Sequence, residues 1–80
     1  MYKKEKCKWT TLLHKYRFMN GLSMEKMAAK VGITTANYFE IEKCNRIRPK
    51  FETFTMLSMV LDKPIEELQK IYYESYITKK

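Results

Sequence analysis

The stretch Gly21-Leu22-Ser23-Met24-Glu25-Lys26-Met27-Ala28-Ala29-Lys30-Val31-Gly32-Ile33-Thr34 reads as a short helix with a start, a stop and a second start. Ser23 is a good N-cap, because its hydroxyl can accept one of the first free amides of a helix. Leu22 before it and Met27 four residues after it stand where a hydrophobic staple forms across the first turn, while Lys26 occupies the place where a full capping box carries Glu or Gln. Gly32 stops the helix, since glycine takes the left-handed conformation of helix C-termini without steric cost. Ile33 and Thr34 then repeat the opening: Thr34 caps, and Ile33 can staple against Tyr38. The spacing predicts helices over residues 24–31 and 35–43, the second with Tyr38 and Ile41 turned inward. Two short helices joined by a glycine turn have the shape of a helix-turn-helix.

Working outward, Asn20-Gly21 closes an earlier helix that starts at Thr10, with Leu12, Leu13, Tyr16 and Met19 as its apolar stripe. Downstream, residues 44–50 show no periodicity and carry Arg46, Arg48 and Lys50 around Pro49, which makes them a loop. Phe51, Phe54, Leu57, Val60 and Leu61 form a fourth stripe, broken at Asp62-Lys63, and Pro64 sits where a helix favours its first residue. Ile65, Leu68, Ile71, Tyr72 and Tyr76 form a fifth. The predicted fold is all-α: five helices on short links, with no strand and no internal repeat. Only two Gly and two Pro argue against a turn-rich β fold. The chain divides into a basic N-terminal arm, 1–9, a helix-turn-helix domain, 10–68, and a C-terminal helix extension, 69–80. The lysines of the arm read either as a solvated chain end or as a phosphate-seeking arm.

Eighty residues make about one small domain, and 45% hydrophobic residues suffice for a core, which argues against disorder. The net charge of +7 is unevenly spread: residues 1–50 hold twelve basic and four acidic side chains, residues 51–80 four basic and five acidic. A one-sided positive field points to a polyanion. No apolar run exceeds three residues, so neither a membrane span nor a signal peptide is expected, and the cytoplasm is the expected location. Cys7 and Cys44 stand alone beside a single His, which cannot supply four zinc ligands at metal spacing. They read as reduced, structural or incidental thiols. No metal, cofactor or small-molecule ligand is expected.

The quoted stretch resembles the helix-turn-helix of the xenobiotic-response-element (XRE) family, which includes the Cro proteins and the DNA-binding heads of lambdoid phage repressors. Ile41-Glu42, Pro49, the run 51–54 and the segment 60–68 match the family's pattern in order, so the resemblance covers about residues 12–68. It implies a five-helix, lambda-repressor-like head whose third helix enters the major groove while the second crosses the phosphate backbone. Ala28 then is the small residue that lets helices two and three approach. Arg17 and Glu42 match positions that commonly pair as a structural ion bridge. The base-reading positions fall on Thr35, Ala36, Asn37 and Glu40. Asn can bond adenine bidentately, Glu can accept from cytosine N4, and the Thr and Ala methyls can meet the thymine methyl. As ordinary helix residues, Thr35 and Ala36 would be first-turn positions and Glu40 would face solvent and Lys43.

The phosphate-contacting positions are Ser23, Met24, Thr34, Lys43, Asn45, Arg46, Arg48 and Lys50. The hydroxyls and open amides at two helix starts suit an oxyanion, and the basic side chains supply charge without reading sequence. The chain departs from the family at Met24, which replaces a phosphate-bonding Gln, and at Cys44, which replaces a Gly. Asn45 or Lys43 is therefore expected to take the left-handed turn. The loop before Pro49 is one residue longer than the common pattern. Phe39 lies off the inward stripe and is expected on helix four, or else against the sugar backbone. Ile71, Tyr72 and Tyr76 are candidates for a two-fold interface.

These residues predict a sequence-specific double-stranded DNA-binding transcriptional regulator, a small Cro-like repressor that occupies an inverted-repeat operator as a homodimer. The alternative is an interaction module, an antitoxin or accessory factor, that binds a protein with the same bundle. An enzyme is the weakest reading, because the sole His14 has neither an acid pair nor a phosphate loop to work with.

Overall fold

The computed structural model describes residues 7–45 and 48–79, with side chains described as far as residue 75. Five helices follow one another: α1 (Lys8–Met19), α2 (Met24–Val31), α3 (Thr35–Glu42), α4 (Phe51–Leu61) and α5 (Ile65–Lys79). No strand occurs among the described residues. α2 packs on α3 and α4, α1 on α3 and α5, and α4 on α5. This is the all-α, lambda-repressor-like arrangement that the sequence predicts.

Local chemistry sets the boundaries. The Ser23 hydroxyl accepts from the Lys26 amide at 3.1 Å, and the Thr34 hydroxyl from the Asn37 amide at 3.1 Å. Four helices then end by one device, in which an amide bonds back to the carbonyl five residues earlier: Leu22 to Arg17 at 2.8 Å, Ile33 to Ala28 at 3.0 Å, Asn45 to Glu40 at 3.0 Å and Lys63 to Ser58 at 3.1 Å. The residue before each of those amides is left-handed: Gly21, Gly32, Cys44 and Asp62. This closure satisfies carbonyls that would otherwise lack a partner.

The left-handed residue after α3 is therefore Cys44 itself, at φ 57°, and not Asn45 or Lys43. An L side chain is disfavoured there by roughly 1–2 kcal/mol. Burial of the Cys44 side chain in the core offsets that cost. Glycine is needed for its φ at Gly32, which stands at +86° with open space where a Cβ would go.

The core differs from the predicted one at its edges. Trp9 is fully buried within α1, so the domain starts ahead of residue 10 and the proposed arm is shorter than 1–9. Residues 1–6 of that arm lie outside the described residues. Trp9, Leu13 and Tyr16 set the inward axis of α1, from which Met19 is turned by about a quarter-turn at 100° per residue. Met19 is accordingly 70% exposed. Phe51, at the first position of α4, projects past the core and is 67% exposed. Phe39 does not join the core on helix four. It is exposed, with the Lys43 ammonium 5.0 Å from its ring centroid.

The rings of Trp9, Phe54 and Tyr72 meet edge to face, with centroids 5.9, 5.1 and 5.8 Å apart for the three pairs. The trio joins α1, α4 and α5, and the Trp9 amide donates to Ser75 Oγ at 3.0 Å. Tyr72 is thus a core residue with no exposed surface, which removes it from the two-fold interface candidates. The first half of the 69–80 segment is part of the domain, and the Tyr76 side chain lies outside the described residues.

Trp9→Ala should destabilise the domain by about 3–5 kcal/mol, the usual cost of emptying a large aromatic site. The midpoint of urea unfolding, followed by far-ultraviolet circular dichroism, measures it.

Candidate nucleic-acid interface

α3 has two faces. Tyr38, Ile41 and Glu42 are buried, whereas Thr35, Ala36, Asn37 and Phe39 are exposed and Glu40 is half-buried. A carboxylate at a buried position needs partners, and Glu42 has them. Arg17 Nε donates to Oε1 at 2.9 Å and Arg17 Nη2 to Oε2 at 2.9 Å, a two-pronged pair. The Tyr38 hydroxyl donates to Oε1 at 2.5 Å, and Arg17 Nη1 reaches the Leu22 carbonyl at 3.2 Å. The guanidinium therefore ties the end of α3 to both α1 and the turn that precedes α2.

Two further bonds hold the same end. Trp9 Nε1 donates to the Ile41 carbonyl at 2.8 Å, and the Thr10 hydroxyl to the Glu42 carbonyl at 2.7 Å. Carbonyls in the last turn of a helix have no partner within it, and here α1 supplies side-chain donors for two. Trp9, Thr10 and Tyr38 are positioning residues that the sequence reading missed. A lone Trp among lysines was the available signal for the first, and nothing in the spacing of Thr10 marks it.

The electrostatics follow from this cluster. Burial pushes the Tyr38 phenol well above its ordinary range, and the hydrogen bond to Glu42 pushes it further. The hydrogen bond to Glu42 raises Arg17, against the opposing effect of its own partial burial.

The candidate base-reading residues Thr35, Ala36 and Asn37 stand together in the first turn of α3 and point away from the core. Glu40 lies one turn on. Its Oε1 is buried and has no hydrogen-bond partner among the described residues. Of the phosphate candidates, Ser23 and Thr34 are exposed and use their hydroxyl oxygens as caps. Each hydroxyl keeps its proton available to donate. Lys43, Asn45, Arg48 and Lys50 are exposed, and Arg46 lies outside the described residues. The Met24 side chain packs against the core, so it is not a phosphate ligand; its thioether carries no donor. The sequence reading also missed the start of α4, where Lys50 is the N-cap with no side-chain bond to the first-turn amides. A basic residue ahead of open amides was a legible signal.

Capped starts, a left-handed glycine between two short helices and an outward first turn on the second define a helix-turn-helix domain. Residues 13–68 match the sequence pattern of the helix-turn-helix family, XRE type, over more than two thirds of the chain. The chain belongs to this family of DNA-binding domains. No similar curated protein and no similar solved structure was found. Among the described residues, no group of His, Cys, Asp or Glu could hold a metal ion, and no helix is long and apolar enough to cross a membrane.

Glu42→Gln should cost about 3 kcal/mol, the low end for breaking a buried pair because Arg17 keeps some solvent contact. The double change Arg17→Met, Glu42→Leu should cost less than the two single changes combined; equilibrium unfolding of the four proteins provides the comparison. Tyr38→Phe yields a pH signature. The raised phenol stabilises the fold fully below about pH 10, where the unfolded tyrosine is also protonated, and that contribution is lost as pH rises further. The stability gap between the parent chain and Tyr38→Phe should therefore narrow between about pH 9.5 and 11.5.

Proposed function

We propose that this protein is a sequence-specific regulator of transcription that represses by occupying an operator as a homodimer. One observation carries the reading: α3 is fixed from behind by Arg17, Trp9 and Thr10, while Thr35, Ala36 and Asn37 present an unobstructed first turn. A helix held in that way reaches base edges with little rearrangement, which favours readout by contact.

In this reading α3 enters the major groove. Asn37 pairs with adenine, the methyls of Thr35 and Ala36 meet thymine, and Glu40 accepts from cytosine N4. The hydroxyls of Ser23 and Thr34 and the amides that open α2, α3 and α4 bind phosphate oxygens. Lys43, Asn45, Arg46, Arg48 and Lys50 surround them with charge. The concentration of positive charge in residues 1–50 fits this use, because phosphate contacts supply much of the affinity.

The dimer uses α5, where Ile71 is half-buried and Tyr73 is 43% exposed. A two-fold pair reads two half-sites about one helical turn apart, which makes the operator an inverted repeat. Repression needs occupancy alone.

Selection of bound duplexes from a random pool at near-physiological salt, with competitor DNA present, should return a palindrome. It should bind at least about a thousandfold tighter than a scrambled duplex. Six phosphate contacts give a slope of log K against log salt near about −5. Asn37→Ala should weaken binding of the selected site by about 1–3 kcal/mol and relax preference at one position per half-site. A pool that returns no enrichment, with binding that only fades with salt, rejects this function.

A further inference from the structure

The outer face of α1 takes no part in the contacts described so far. Thr11, His14, Lys15 and Phe18 recur there at i, i+3, i+4 and i+7 and line an open groove of about 400 Å³. Phe18 is 80% exposed and Met19, beside it, is 70% exposed. Single exposed apolar residues are ordinary, but two adjacent large ones at the end of a groove on one helix mark a contact surface. The inner face of the same helix is held to α3 and α5 by Trp9, Thr10 and Arg17. A partner therefore meets a rigid platform and orders little on binding.

Charge selects the occupant. α1 carries Lys8, Lys15 and Arg17 and no acidic residue. A second copy of the same face would bring like charges together, which opposes self-pairing. Duplex DNA would leave the Phe18 ring and the Met19 thioether without an apolar counterpart, since its outer surface is phosphate and sugar. We propose that this face docks an acidic amphipathic helix of a partner protein. Leucine-like side chains of the partner would seat against Phe18 and Met19, and its carboxylates would flank Lys15. This is helix-in-groove recognition, on a surface separate from the outward turn of α3.

The test uses the whole chain, labelled with nitrogen-15, and a synthetic amphipathic helix of about four turns with leucines on one face and glutamates beside them. Amide shifts should cluster over residues 11–19 and saturate with a Kd on the order of 10–100 μM, as suits a contact well below the ~800 Å² per partner of a standard interface. Phe18→Ala and Lys15→Glu should each weaken the peptide about tenfold. Both side chains are exposed, so the melting temperature and the affinity for the selected duplex should stay unchanged. The assignment is overturned if the shifts fall instead on α3 and residues 43–50, or if no saturable binding occurs. It is equally overturned if Phe18→Ala weakens duplex binding or abolishes self-association, because the face then belongs to DNA or to a second copy. Duplex binding is read in the same samples, so failure of this surface and failure of operator recognition are separate results.

Discussion

The Glu42 carboxylate is the point on which the arrangement turns. It is buried, and a buried charge is tolerated only where geometry and hydrogen bonds are both supplied. Arg17 supplies the opposite charge with two parallel donors, and Tyr38 a third donor from the same helix. The consequence is directional. Because Arg17 also holds the Leu22 carbonyl, one guanidinium fixes the end of α3 and the turn before α2 together. The helix-turn-helix is thus located relative to α1 by a polar contact with a single good geometry, where apolar packing alone would admit several.

α3 is accordingly fastened at its last turn and offered at its first. Ile41 and Glu42 give their carbonyls to Trp9 and Thr10, whereas the start is closed only by Thr34, whose oxygen leaves the neighbouring side chains outward. Rigidity and accessibility are separated along eight residues. The same division holds across the molecule, since the basic residues crowd the first fifty positions and the last thirty are close to neutral.

Much of this was legible in the residues, and for identifiable reasons. Caps are local: Ser23, Thr34 and Gly32 each act within five residues, so the bounds of α2 could be read directly. The pairing of Arg17 with Glu42 was legible only through family resemblance, because no spacing rule links positions 25 apart. Trp9 was hidden by its neighbours, as the lysines around it suggest a solvated arm and one tryptophan gives no periodicity. Tyr72 failed for a related reason. The helical pattern showed that it was apolar but not that Trp9 and Phe54 had left a place for it. Cys44 shows a third kind of limit: the sequence suggested that a thiol would avoid the left-handed position, yet the paired closing bonds fix that position in the chain. The base-reading positions came from the same resemblance, and their outward placement follows from the inward phase of Tyr38 and Ile41.

The contact between the Trp9 amide and Ser75 spans sixty-six residues, and it bears on how the domain is made. Chains are synthesised from the N-terminus, so Trp9 emerges from the ribosome long before the aromatic and hydroxyl groups that enclose it. Caps and closing turns let α2 and α3 form early from neighbouring residues, but α1 has no finished inner face to settle on until α5 arrives. Contacts of such separation slow folding compared with a bundle of purely local pairs. The interval during synthesis leaves the tryptophan and the inner face of α1 open to other apolar surfaces. Operator binding, where it depends on a fixed α3, would begin only after residue 75 has cleared the exit tunnel.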